Sequence, residues 1–345
     1  MRVKIKDIAE RAGVSLATVS LVLNDRPGVS QKTREKVMHI ARDLHYQRLY
    51  LHDLGRVKRG TIRFLKIAKH GHTVNRDHDV FIADYIDGLD RESRQLGYNL
   101  EISTFHTAEI SDIIDSIQHA EVEGVVILGT ELSFDDIKQL EKLDTPAVII
   151  DTYFDYLGCN FVDMNNFDMV FQIIDHLVEN GHTRIGFIRT PSDVNNFRQR
   201  EIGFGRALSY FGLEQDERFV FVVDSTFEGA YNDMRAILKN APSLPTALFS
   251  SNDIIAYGCI KALKERGYRV PEDVSIVGFD DLPLSAVMDP PLTTMWVSKE
   301  RIGGSAVRLL HSLLEQEDEL PPTKITICGK LIRRGSVKRL NGTAS

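Results

Sequence analysis

Acidic and amide side chains stand at the ends of several apolar runs in this sequence. Asp151 closes VIID, Asn252 and Asp253 follow LFSS, and Asp280 and Asp281 follow IVGF. An open α/β sheet meets its ligand outside the C-terminal ends of its strands, so groups there can exchange hydrogen bonds with a small polar molecule. The same residue types cap the first turn of a helix, and for Asp253 the cap is the stronger reading. His70, His72 and His78, in KHGHTVNRDHDVF, have the residue type of a metal site. No carboxylate or cysteine stands at ligand spacing, so they read as solvated loop histidines. The loop can instead cap a bound molecule, which would bring Asn75, Asp79 and Phe81 to it, and Glu131, just past ILGT, is a further contact of that kind.

Catalytic signatures are missing. There is no GxGxxG, GxxxxGK[ST], GxSxG or HExxH, so neither an enzyme nor a cofactor is implied. Cys159, Cys259 and Cys328 are odd in number and widely spaced, as befits free thiols in a reducing compartment.

The elements that must position these residues alternate from Thr61 onward. Apolar runs read as strands at 62–68, 100–104, 125–128, 147–151, 185–188, 219–223, 247–250 and 274–279, and amphipathic helices fill gaps such as 81–96, 134–143, 168–179, 200–211 and 254–266. Continuous Val/Ile runs are buried on both faces, which implies an α/β body of parallel sheets covered by helices. The 345 residues leave room for two such sheets.

Charge sets the first sixty residues apart. They hold 13 Lys+Arg against 6 Asp+Glu, whereas the remainder holds 29 against 43. A basic head on an acidic body points to a polyanion met by the head alone. Within that head, Ile8, Ala9 and Ala12 fall at helical spacing before Gly13. Ser15 can cap a second helix, 16–23, with Val19, Val22 and Leu23 inward, and Ser30 a third with Val37, Ile40, Ala41 and Leu44. Three short helices joined in this way make a helix-turn-helix. No apolar run reaches the length of a membrane span and the N-terminus lacks a signal-peptide core, so the expected location is the cytoplasm.

The stretch IKDIAERAGVSLATVSLVLNDRPGVSQKTREKV, and within it AGVSxATVSxVLN, resembles the DNA-binding headpiece of the LacI/GalR family of transcriptional regulators. The resemblance continues through ENGHTRIGFI, RQREIGFGRAL and VGFDD followed by PPLTT. It implies a headpiece and hinge over 1–60 and a two-lobed, periplasmic-binding-protein-like effector and dimerisation domain over 61–345. The lobes would comprise about 61–160 plus 292–321 and about 161–291 plus 322–339, with crossovers near Phe161, Leu292 and Pro321. It further implies that Ser15, Thr18, Ser20, Asn24, Ser30 and Thr33 anchor operator phosphates while Leu16, Ala17 and Leu21 face bases. Those three are apolar and touch a thymine methyl at most, so direct readout there is expected to be relaxed and operator choice shifted to spacing and deformability. HYQRLYLHDLGRVKRG occupies the hinge, with Leu54 as the minor-groove wedge and Leu51 as its rival; a basic tether is the alternative. In the body, Arg200 matches the family's effector-binding arginine, Phe227 aligns with a stacking aromatic, and Asp280 falls on the ligand-site strand. With Asp151, Asn252, Phe81 and Glu131 they would hold an effector, a neutral polyol or sugar in preference to a dicarboxylate.

The resulting expectation is a homodimeric DNA-binding regulator, a repressor, whose affinity for operator DNA follows a small effector held between two lobes. The competing reading is a cytoplasmic sugar-binding protein without operator-specific DNA binding. The basic head discriminates between them. SVKRLNGTAS has no heptad repeat to support a tetramer.

Overall fold

The computed structural model describes residues 5–23, 28–43, 59–240, 243–316 and 321–340. The chain divides into two units, one running to Arg59 with the short segment Gln95–Tyr98, the other taking the rest from Gly60.

In the N-terminal unit, α1 (Ile5–Ala12), α2 (Leu16–Leu23) and α3 (Gln31–Asp43) enclose a core of Ile8, Ala9, Ala12, Val19, Val22, Val37 and Ala41. Three of the seven are alanines, and a core this thin lets short helices pack closely. Gly13 takes a left-handed φ of +65°, and the Val14 N–H then donates back to the Ala9 carbonyl at 3.1 Å, which closes the turn between α1 and α2. Ile40 is half-buried against the core. Leu44, Asn24, Leu51 and Leu54 lie outside the described residues, as does nearly all of the expected hinge.

The body holds two six-stranded sheets with helices between the strands. The first contains β1 (Thr61–Ala68), β2 (Asn99–His106), β3 (Gly124–Leu128), β4 (Ala147–Ile150) and β5 (Asn160–Met164), with α4 (Asp79–Leu96), α5 (Ile110–Gln118) and α6 (Phe134–Leu140) connecting them. After α7 (Asn166–Glu179) the second begins: β6 (Ile185–Arg189), α8 (Asn195–Tyr210), β7 (Val220–Val222), α9 (Phe227–Lys239), β8 (Ala247–Ser250), α10 (Asp253–Glu265), β9 (Ser275–Asp280), α11 (Pro283–Val287) and β10 (Thr293–Trp296). The chain returns through α12 (Lys299–Glu315), then β11 (Lys324–Ile327) and β12 (Lys330–Ile332). The orders are β11-β5-β4-β3-β1-β2 and β12-β10-β9-β8-β6-β7. Among the described residues every pairing is parallel except β10 with β12. Every residue of β3, β8 and β9 is buried, the two-sided burial that their apolar runs imply.

The chain crosses between sheets after Met164, Trp296 and Ile327, each later than the expected Phe161, Leu292 and Pro321. Phe161–Val162 pair with β4 and Thr293–Trp296 with β9, so the backbone completes its ladder bonds before it leaves the sheet. Residues 160–164 and 324–327 therefore belong to the first sheet, and 293–296 to the second. Pro321 and Pro322 precede β11 and open that strand instead of marking a crossover. The second lobe's core centres on Phe187, whose ring centroid lies 5.1 Å from Phe204 and 5.2 Å from Phe249. In the first lobe, Gly88 and Gly303 allow α4 and α12 to cross: a Cβ at Gly88 would stand 2.1 Å from the Glu300 carbonyl oxygen, and one at Gly303 2.4 Å from that of Tyr85. Among the described residues no helix is long and apolar enough to cross a membrane.

Candidate functional site

Two regions collect the sequence-derived residues. In the headpiece, the Ser15 hydroxyl accepts from the Thr18 N–H at 3.0 Å and shares a 2.9 Å hydrogen bond with the Thr18 hydroxyl. Ser30 repeats the arrangement with Thr33, at 3.3 and 2.8 Å. The hydroxyls expected at phosphates thus also serve as N-caps of α2 and α3, a role worth about 1 kcal/mol each. Val19 and Val22 point inward, which turns Leu16, Ala17 and Ser20 to the exposed face of α2 and leaves Thr18 and Leu21 half-buried. With 54% of its surface exposed, Leu16 is an apolar side chain that burial in the headpiece core does not explain.

The second region is a cavity of about 40 Å³ between the two lobes. Thr73, His78, Phe81, Ile82, Thr130 and Asp151 line it from the first lobe, and Val194, Asn196, Phe197, Arg200, Asn252 and Asp280 from the second. Asp151 follows β4 with φ +61°, and its carboxylate accepts from the Tyr85 hydroxyl at 2.7 Å and the Thr130 hydroxyl at 2.5 Å. Asp280 ends β9 at φ +114°, a conformation that costs an L-residue about 1–3 kcal/mol and that clusters at ligand sites. Arg200 is held by its neighbours: Nε donates to Asn166 Oδ1 at 3.0 Å, Nη1 to the Ser251 carbonyl at 2.6 Å, and the guanidinium lies 3.7 Å from the Phe279 ring centroid. It stands 3.7 Å from Asp280 Oδ1, an atom with no hydrogen-bond partner among the described residues. Burial pushes the carboxyls of Asp151, Asp163 and Asp280 above the usual range; repulsion from Asp151 adds to it at Asp163 and Asp280, and the Arg200 guanidinium opposes it at all three.

Asp151, Arg200, Asn252, Asp280 and Phe81 come together at this cavity, whereas Glu131 and Phe227 do not line it. Glu131 is buried behind the loop: its Oε2 accepts from the N–H groups of His70 and Gly71, both at 2.9 Å. Its Oε1 accepts from those of Thr73 and Val74, at 2.8 and 2.7 Å, and from the Thr73 hydroxyl. Burial raises its pKa, but the four amides outweigh that and bring it from 4.5 to about 2. Phe227 opens α9, its N–H donating to Asp77 Oδ2 at 3.3 Å and its ring near the Lys261 ammonium. Asp79 pairs with Lys66, and Asn75 caps the short turn 76–78.

Two further expectations change. His78 is buried, not solvated, and burial lowers its pKa to about 4, so the ring is neutral at physiological pH. Asn252 uses Oδ1 to cap α10, so its Nδ2 donates to His78 Nε2 at 3.1 Å. That assigns the ring proton to Nδ1, which donates to Asn75 Oδ1 at 3.1 Å. Asn252, not Asp253, is therefore the cap. Asp253 instead accepts from Thr294, Ser285 and the Leu282 N–H, which ties α10 to the segment after β9. Among the described residues no cluster of His, Cys, Asp or Glu is arranged to hold a metal.

The residues missed are chiefly Thr73, Thr130, Asn196 and Phe197. Asn196 donates to the Asp151 carbonyl at 3.0 Å and to its Oδ1 at 3.3 Å, a bridge between lobes. Its signal was the four-residue spacing from Arg200, which puts both on one face of α8 once the helix begins at Asn195.

Residues 4–48 match the bacterial regulatory proteins, lacI family, and residues 174–337 match the periplasmic binding protein-like domain. The HTH-type transcriptional repressor CytR of Escherichia coli (strain K12) is 32% identical over 97% of this chain and 96% of its own. The HTH-type transcriptional repressor PurR of Haemophilus influenzae (strain PittEE) is 31% identical over 97% and 99%. The solved complex of the transcriptional regulator CelR with cellobiose superposes with a TM-score of 0.71 at 26% identity, covering 97% of this chain and 100% of that one. The lac repressor dimer bound to operator and the anti-inducer ONPF gives 0.70 at 25% identity over 98% and 100%. Matched along headpiece and body alike, the chain belongs to the lacI family of bacterial regulatory proteins, DNA-binding transcriptional regulators with a helix-turn-helix headpiece.

Proposed function

We propose that this chain is a cytoplasmic, homodimeric repressor, regulatory and not catalytic, whose hold on operator DNA is set by a small uncharged, hydroxyl-rich effector in the interlobe cavity. The observation that carries the reading is the balance of polar groups there. Asp280 offers an unpartnered carboxylate oxygen, Asn196 and Asn252 offer amides that now bond Asp151 and His78 across the lobes, and Arg200, the guanidinium among the residues lining the cavity, donates to Asn166 and Ser251. An anionic ligand would meet buried acids without an uncommitted cation, whereas hydroxyls suit these groups. Phe81 and Phe197 bring ring surface from opposite lobes to cover the apolar side of a sugar. The CelR–cellobiose complex supports the same ligand class by similarity.

Such a molecule exceeds the present cavity, so its entry requires the lobes to part. Parting would break the His78–Asn252 and Asn196–Asp151 hydrogen bonds and that from the Ser225 hydroxyl to the His72 carbonyl. A ligand that reshapes these contacts alters the equilibrium between lobe arrangements, and a coupling of about 1–3 kcal/mol changes operator affinity about 5- to 150-fold. On the DNA, Ser15, Thr18, Ser20, Asn24, Ser30 and Thr33 anchor phosphates while Leu16, Ala17 and Leu21 face bases.

Thermal denaturation of the full chain with neutral sugars and their phosphate esters tests the effector class. A neutral compound at about 100 times its Kd adds about 2.7 kcal/mol of stability and raises Tm. Stabilisation by phosphorylated compounds alone would overturn this reading.

A further inference from the structure

A larger concavity, of about 400 Å³, lies on the flank of the first lobe between α4 and the start of α12. Arg301, Gly304 and Arg308 form one stripe of α12 along its wall, Arg91 and Glu92 line it from α4, and Trp296 lines it from the end of β10. The Arg308–Glu92 pair lies over Gly304, within 3.5 Å of where a Cβ would stand. Arg91 pairs with Glu300 at 2.6 Å and Arg308 with Glu92 at 2.6 Å, while Arg301 has no ion-pair partner among the described residues. Trp296, the only tryptophan of the chain, is 40% exposed although it ends a strand whose other three residues are buried.

We propose that this concavity is a second, allosteric ligand site that takes a small phosphorylated compound with a planar ring, of the nucleoside monophosphate class. A phosphate dianion accepts paired hydrogen bonds from guanidinium groups, and the uncommitted Arg301 beside Arg91 and Arg308 supplies them. The Arg91–Glu300 pair is half exposed on both sides and weakened by water, so a phosphate displaces Glu300 from Arg91 at little cost. A planar base stacks on the Trp296 indole. The volume lies in the range of small-molecule sites, about 300–1,000 Å³.

The position makes the site regulatory. Trp296 and Val297 belong to the segment that crosses from the second sheet to the first, and Lys299 follows directly. Lys299 is buried, pairs with Asp84 of α4 at 3.2 Å, donates to the Asp280 carbonyl at 3.1 Å and lies 4.8 Å from the Phe81 ring centroid. One side chain thus touches the wall of the outer site and two residues of the interlobe cavity. A ligand that shifts α12 against α4 is felt at Asp280, whatever molecule fills the cavity between the lobes.

Because Trp296 is the sole indole, its fluorescence reads the site in the intact chain. Titration with adenosine monophosphate is expected to give a saturable change, with adenosine and inorganic phosphate each binding at least about 10-fold more weakly. Arg301→Gln should weaken the nucleotide about 10-fold, the loss of one charge-assisted contact, without changing the melting profile. Asn252→Ala, in the interlobe cavity, should leave nucleotide affinity within about 2-fold. Three results would overturn the proposal: no saturable change up to about 10 mM nucleotide, equal affinity in Arg301→Gln, or a loss in Asn252→Ala instead, which would put the nucleotide between the lobes.

Discussion

Replacing Glu131 by Gln tests whether that carboxylate, rather than touching effector, holds the loop that closes the cavity. The side chain is fully buried and accepts four backbone N–H groups and one hydroxyl, two of the amides on one oxygen and two on the other. Glutamine has nearly the same shape but turns one acceptor into a donor, which must then face two amide donors. The magnitude follows from the proton affinity. A fall from 4.5 to about 2 on folding, at about 1.4 kcal/mol per tenfold, places about 3 kcal/mol of stability in the ionised carboxylate. The sign is fixed by the direction. A folded-state pKa below the unfolded one gives stability that is present above pH 4.5 and disappears as pH falls towards about 2. The assay is urea unfolding of the full chain followed by Trp296 fluorescence, which reports on the body alone. With a slope of about 3 kcal/mol per molar for a body of this size, Glu131→Gln should lower the midpoint by about 1 M at neutral pH and by somewhat less than half of that near pH 3. A midpoint at neutral pH within about 0.2 M of the wild type, or a deficit independent of pH, would refute the reasoning.

Three further outcomes follow from the same geometry. Asp163 is fully buried, has one oxygen without a partner among the described residues, and is pushed by burial from 3.8 to about 8. The unfolded chain therefore releases that proton first, and body stability should fall as pH rises between about 4 and 8; Asp163→Asn should flatten the decline, and an unchanged slope in denaturant midpoints would count against it. Asn196→Ala removes an amide that the parted lobes would offer to the effector and takes an acceptor from Asn166, so effector affinity measured by calorimetry should drop about 10-fold or more; wild-type affinity would remove Asn196 from the site. Ser15→Ala removes the cap of α2 and should cost the headpiece about 1 kcal/mol by circular dichroism melting, with a loss of DNA affinity; an unaltered melt would show that the cap carries no stability.

How far the sequence reached can be judged residue by residue. Asp151, Asn252 and Asp280 were legible because an apolar run that ends in a polar residue marks both the strand and the sheet end where ligands bind. Arg200 was legible through the family resemblance of RQREIGFGRAL, and Phe81 as the end of the loop that can cap a bound molecule. His78 was not legible as a buried residue, because its Nε2 meets Asn252 of the other lobe, distant in sequence. Glu131 was found as an acid past a strand, yet only the fold of residues 70–74 decides that it faces backbone amides. Asn196 and Phe197 were hidden by the two asparagines at 195 and 196, which read as breakers but open α8. The strands KITI and KLI escaped because three or four residues with mixed polarity carry no clear period, and missing KITI shifted the third expected crossover.

The division of work between a cationic headpiece and a ligand-sensing body is tested most directly by operator binding at graded salt, comparing the full chain with a truncation that starts at Gly60. Fluorescence anisotropy on DNA recovered by binding selection is the measurement. The full chain should bind with an affinity that falls linearly in log–log salt, in proportion to the phosphates neutralised. The truncation should show no binding even at low salt, while it still responds to the effector in a thermal melt. Retention of full operator affinity by the truncation, or indifference of the intact chain to DNA at low salt, would contradict the account.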